Sequence, residues 1–126
     1  MTYEEIKEEV KDASLVLVGL GEDLTGDLTG FYDALAELLK YKDYFIVTLK
    51  DRKGLEQAGI SKEQITAPLE EPDNQESWDK YLHWLSFTLN QKLCVLELGV
   101  GFAYPQLIRF PFEKTAYFNK KACYIR

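Results

Sequence analysis

The chain has 126 residues, 46% of them apolar and 29% charged, with 21 acidic against 15 basic side chains and a formal net charge of -6. That length predicts a single domain over 1–126 with a real core and no second unit. The acidic balance argues against nucleic acid as the main partner, no apolar run approaches the ~20 residues that cross a bilayer, and the mixed charges of 1–11 are unlike a signal peptide, so the expected location is cytoplasmic.

Tyr3 to Lys11 predicts an opening helix with Ile6 and Val10 on one apolar face and Thr2 or a neighbour as its cap. Leu15 to Val18 reads as a buried strand ended by Gly19-Leu20-Gly21. Glycine at both positions lets the backbone turn tightly or approach a ligand closely, as in the turns that hold pyrophosphate after a first strand. The third glycine of that fingerprint is missing, and Glu22 and Asp23 put carboxylates where a phosphate needs bare N–H groups. A strand end capped by acidic residues at a helix N-terminus is the other reading.

Phe31 to Lys40 follows as a helix with Phe31, Leu35, Leu38 and Leu39 on one face, and Tyr44 to Leu49 as the second buried strand. One crossover helix between two strands predicts a right-handed β-α-β unit. At the end of that strand, Lys50-Asp51-Arg52-Lys53 stands either to pair with Glu22 and Asp23 or to meet an anionic ligand. Leu55 to Ala58 gives a turn or two of helix ended by Gly59. Ile65 to Leu69 is expected as a short strand that Pro68 confines to an edge, and Glu70 to Gln75 as an acidic loop.

A longer helix is expected from Glu76 to Asn90, capped by Asp73 or Ser77, with Trp78, Tyr81, Leu82, Leu85 and Leu89 as its core stripe. Trp84 and Phe87 fall off that stripe, which predicts a second contact, with another helix or with another subunit of a homo-oligomer. His83, the only histidine, lies beside them on the helix surface with no nucleophile announced as its partner.

Leu93 to Leu98 is the next buried strand, and Gly99 and Gly101 end it. Pro105 is expected to open a helix over Pro105–Phe110 that faces the crevice at the strand ends, where parallel sheets bind ligands, and Pro111 to stop it. Arg109 is placed to neutralise Glu22, Glu97 or Glu113, or to hold a phosphate. Ala122 to Ile125 is the last strand. Cys94 and Cys123 fall inside strands and are expected buried and reduced, with no zinc, because a closed structural site needs about four ligands. Together these elements predict a three-layer, Rossmann-like α/β domain with a mostly parallel sheet of about five strands.

Three stretches carry a family resemblance. Residues 99–113, GVGFAYPQLIRFPFE, resemble a late strand-loop-helix of the sirtuins, the NAD-dependent deacylases and ADP-ribosyltransferases, and in particular a microbial branch linked to macrodomain operons with a G-V-G-F-x-x-P-x-x-I-R-x-P-F-E run. Residues 42–59, KDYFIVTLKDRKGLEQAG, are similar to the segment that reaches the nicotinamide pocket, and 13–25 to the first strand and glycine loop. The resemblance implies a DHS-like NAD/FAD-binding fold with NAD or ADP-ribose as ligand. It implies contacts from Gly19, Gly21, Glu22, Asp23, Thr48, Lys50, Asp51, Gly99, Gly101, Phe102 and Arg109.

The departures fall where catalysis would be carried out. Lys50 and Arg52 stand where the family has an asparagine and an aspartate, Ala103 replaces the branch's asparagine, and Glu22 and Asp23 follow the glycines where the family has a serine. No histidine lies in a pocket loop beyond Gly59, the zinc cysteines have no counterpart, and the helical insertion is compressed to 26–28. The expectation is a non-catalytic sirtuin-like protein that binds a nucleotide weakly or acts as an accessory partner. Two alternatives stand beside it: a small nucleotide-processing enzyme of NAD glycohydrolase or ADP-ribosyl transferase type, using Asp23, Asp51 or Glu97 with Arg109, and a protein-interaction module with no ligand.

Overall fold

Thr2 caps the first helix, α1 (Tyr3–Asp12): its hydroxyl accepts from the Glu5 N–H at 3.2 Å while the Glu5 carboxylate reaches back to the Thr2 N–H. The computed structural model describes residues 2–126. Behind α1 come β1 (Leu15–Leu20), α2 (Thr29–Leu39), β2 (Asp43–Thr48), α3 (Arg52–Gln57), a single 3₁₀ turn (Lys62–Gln64), β3 (Ile65–Thr66), α4 (Gln75–Ser86), β4 (Leu93–Leu98), α5 (Arg109–Phe118) and β5 (Cys123–Ile125).

The five strands form one parallel sheet in the order β3-β2-β1-β4-β5. Helices cover both faces, so the central strands need apolar residues on both sides; all six residues of β1 are buried. Val16, Val18, Leu20, Ile46, Cys94 and Leu96 pack with Val10, Leu35, Leu39 and Leu55 from α1, α2 and α3. Leu17, Phe45, Val47 and Val95 face the other way, onto Tyr81 of α4 and Ile108 and Phe112 at α5. This is the three-layer Rossmann-like arrangement expected.

Register aligns the carboxyl ends of the central strands. Leu20 pairs with Thr48 on one side and with Leu98 on the other, so the carboxyl ends of three strands stop level. The chain leaves β1 for a helix on one face and leaves β4 for a helix on the other, which opens a crevice between them. Both glycine turns and the Lys50–Lys53 loop therefore lie along one edge of the sheet.

Several boundaries differ from expectation. The helix placed at Pro105–Phe110 begins at Arg109 instead, because Phe110 N–H donates to the Pro105 carbonyl in a turn, and Pro111 sits in the first turn of α5, where its missing N–H has no intrahelical partner to lose. β3 is two residues long. The cap of α4 is Asn74, which accepts from the Ser77 N–H at 3.0 Å, and the helix stops at Ser86. Consequently Leu82 and Leu89, expected in the core stripe, are exposed, whereas Trp84, expected off it, is half-buried against Phe45 with its ring N–H donating to Asp43 at 2.8 Å. Phe87 stays exposed. Among the described residues no helix is long and apolar enough to cross a membrane.

Candidate functional site

The chain fills the crevice between β1 and β4 with its own groups. Gly21 donates to the Leu98 carbonyl at 3.0 Å and Asp23 to the Gly99 carbonyl at 2.8 Å, so the two loops zip together beyond the strands. The approach depends on glycine: a Cβ at Gly21 would stand 2.4 Å from the Gly99 oxygen and from the Val100 Cα. Gly99 itself holds φ 64, with Leu24 packed against it.

Across this zip the Glu22 carboxylate accepts from two backbone N–H groups, Gly101 at 2.8 Å and Ala103 at 2.9 Å. Those are the donors of a loop that in a nucleotide-binding turn would cradle phosphate oxygens. Desolvation pushes the Glu22 carboxyl up, but the two N–H groups and the charge of Arg109 outweigh it and hold the group below the ordinary glutamate range. Glu22 is thus ionised at neutral pH and behaves as a tethered anion.

Arg109 is committed elsewhere as well. Its Nε donates to Glu97 at 3.1 Å and its Nη2 to the Val100 carbonyl at 3.0 Å, while the guanidinium lies 5.3 Å from the centre of the exposed Phe102 ring. Glu97 is 3% exposed, receives the Tyr124 hydroxyl, and has Arg126 within 3.9 Å. Burial pushes its carboxyl up against the opposing pull of the two arginines. Nothing in the sequence pointed to Tyr124 and Arg126 as partners, since both come from the far end of the chain.

The loop after β2 repeats the pattern with a second carboxylate. Glu70 accepts from the backbone N–H groups of Asp51 and Arg52, both at 2.9 Å. Asp51 adopts φ 60 and caps α3 by accepting from Gly54, and Thr48, fully buried, donates its hydroxyl to the Lys50 carbonyl at 2.7 Å. Arg52 pairs with Glu56 at 3.3 Å and with Glu71, so the expected pairing of the basic cluster with Glu22 and Asp23 does not form. Glu70 stood in the sequence only as one acid of an acidic loop; its role needs the return of the chain beside β2.

Of the eleven residues singled out, ten line this edge. Gly21, Glu22, Asp23, Gly99, Gly101, Phe102 and Arg109 converge at the β1–β4 crevice, and Thr48, Lys50 and Asp51 lie one strand away. Gly19 is different: it lies inside β1, where an added Cβ would meet Ile108 Cγ2 at 2.6 Å and Phe112 Cε2 at 2.7 Å, so it makes room for α5 to pack.

A second concavity, of about 750 Å³, runs along the outer flank of α4, with Phe45, Trp84 and Phe87 as its apolar wall and Glu63, Glu76, Asp79, Lys80 and His83 at its rim. His83 is exposed and meets the edge of Phe87 at 5.0 Å. Cys94 and Cys123 sit side by side on β4 and β5 as free thiols, Cys94 buried as expected but Cys123, on the edge strand, only half-buried; burial, with Cys123 and Glu9 near, pushes Cys94 up to about 12, and burial with Glu9 raises Cys123 above its ordinary range. Among the described residues no group of three or more His, Cys, Asp or Glu side chains is arranged to hold a metal ion. Comparison with models of known protein families finds no match, and comparison with curated proteins finds none either.

Proposed function

We propose that this chain is a non-catalytic, sirtuin-like Rossmann protein that keeps the nucleotide-binding framework, takes NAD or ADP-ribose only weakly, and works as an accessory or interaction protein. The observation that carries the reading is the Glu22 carboxylate on the Gly101 and Ala103 N–H groups. A dinucleotide phosphate has to displace a tethered anion that is already hydrogen-bonded and partly desolvated, and each charge-assisted hydrogen bond it must replace counts against its affinity. Arg109, the nearest cation, is held by Glu97 and Val100. The resemblance of residues 99–113 to the sirtuin loop supports a pyridine nucleotide as the ligand class, and the substitutions at Lys50, Arg52 and Ala103 support loss of turnover.

Calorimetry with NAD, ADP-ribose and AMP tests this on the wild type and on Glu22→Ala. Removal of the carboxylate should tighten nucleotide binding about tenfold, the equivalent of roughly 1.4 kcal/mol. Unchanged or weaker affinity in Glu22→Ala, or no heat from either protein at millimolar ligand, overturns the nucleotide assignment. Nicotinamide released from NAD by the wild type at an enzyme-like rate overturns the non-catalytic one.

A further inference from the structure

The layer formed by α4 and α5 carries two surfaces of opposite character on its two flanks. On the α4 flank lies the groove walled by Phe45, Trp84 and Phe87. Three carboxylates rim it against one ammonium: Lys80 is shared by Glu63 and Glu76, while Asp79 is bonded only by the Gln75 amide, at 2.9 Å. Its character is apolar within and net acidic around.

The α5 flank is the converse. Phe110, Lys114, Tyr117 and Phe118 recur at i, i+4, i+7 and i+8 and are all exposed, Tyr117 by 82% and Phe118 by 61%. Lys120 and Lys121 follow in the turn before β5. Among the described residues Lys114, Lys120 and Lys121 enter no ion pair. Arg109 and Arg126 are already held by Glu97 and Glu113, so the free positive charge of this face is that of the three lysines, in a molecule whose net charge is -6.

We propose that a second copy of this chain docks its α5 face into the α4 groove, so that molecules join head to tail. Aromatic side chains that one copy leaves in water enter the apolar wall of the next, and the lysines meet the Glu76 and Asp79 carboxylates. The two surfaces belong to different helices of one layer, α4 packing over β2 and β3 and α5 over β1 and β4, and the exposed face of α5 is the one opposite its buried Phe112. One molecule therefore cannot satisfy both of its own surfaces, and the contact is heterologous, able to propagate. It rests on faces away from the crevice and stands whether or not a nucleotide binds.

Sedimentation equilibrium over a concentration series tests the proposal. At about 0.02 M salt the mean mass should rise with concentration, and it should fall back towards the monomer at about 0.5 M, where exposed charges are screened. Asp79→Lys disables the groove, and Lys120→Glu with Lys121→Glu disables the face; all three positions are exposed, so folding is checked by circular dichroism and retained. Each variant alone should associate at least about tenfold more weakly than the wild type. Mixed together they should form a 1:1 dimer that does not grow, since each supplies the surface the other lacks. A wild type that stays monomeric throughout at low salt, a variant that associates as the wild type does, or a mixture that stays monomeric overturns the proposal.

Discussion

The β1–β4 crevice and the α4 groove differ in what the chain has already done with them. In the crevice, the Gly101 and Ala103 backbone donors are taken by Glu22 of the same molecule, as Glu70 takes those of Asp51 and Arg52 one strand away. In the groove, Phe87 is left 64% exposed, with the His83 ring set edge-on against it. The contrast follows from how polar and apolar groups respond to folding. A backbone N–H that meets a carboxylate of its own chain gains a charge-assisted hydrogen bond, so these donors are satisfied without a ligand. Exposed apolar surface costs only about 25 cal/mol per Å², and can remain uncovered until a partner arrives.

Three substitutions probe that contrast. The largest effect is expected from Gly21→Ala, whose new methyl would overlap backbone atoms of Gly99 and Val100 that have no flexible end to move. Urea unfolding should show a loss of about 3 kcal/mol or more, and a loss under about 1 kcal/mol would mean that the zipped loops part easily. Glu22→Ala comes next. The folded Glu22 carboxyl lies below its unfolded value of 4.5, so its contribution is present above that pH and disappears as pH falls through the folded value. The wild type should exceed the variant by about 1–2 kcal/mol at neutral pH, and the two stability curves should converge in acid. Parallel curves down to the acid limit would show that the carboxylate is not what holds the loop. Phe87→Ala should change stability least, by less than about 0.5 kcal/mol, while abolishing any low-salt association through the groove.

The parallel sheet was legible because a strand buried on both faces needs an unbroken apolar run. Leu15 to Val18 is such a run, Tyr44 to Leu49 and Leu93 to Leu98 are broken only at Thr48 and Glu97, and Gly21 and Gly99 directly follow β1 and β4. The acidic character of the crevice was legible too, but its mechanism was not. Glu22 and Asp23 read as charges that repel a phosphate, whereas Glu22 acts by occupying donors 79 and 81 residues away, and Asp23 is tied through its own N–H. Such long-range pairings leave no local signal. Pro111 was misread for a different reason: a proline ends a helix or opens one equally well, and only the turn at Pro105 to Phe110 decides which. The buried side of α4 likewise depends on where Phe45 of β2 stands, and that brought Trp84 inward and left Leu82 out.

The central position of β1 also shapes how the chain can assemble as it is made. β2 reaches β1 across a single helix, so half of the sheet can close early, while the opposite edge of β1 waits until α3, β3 and α4 have been synthesised and β4 emerges. During that interval an unpaired, wholly apolar strand edge is open to capture by other chains, so the wait for β4 is the stage of folding most exposed to aggregation.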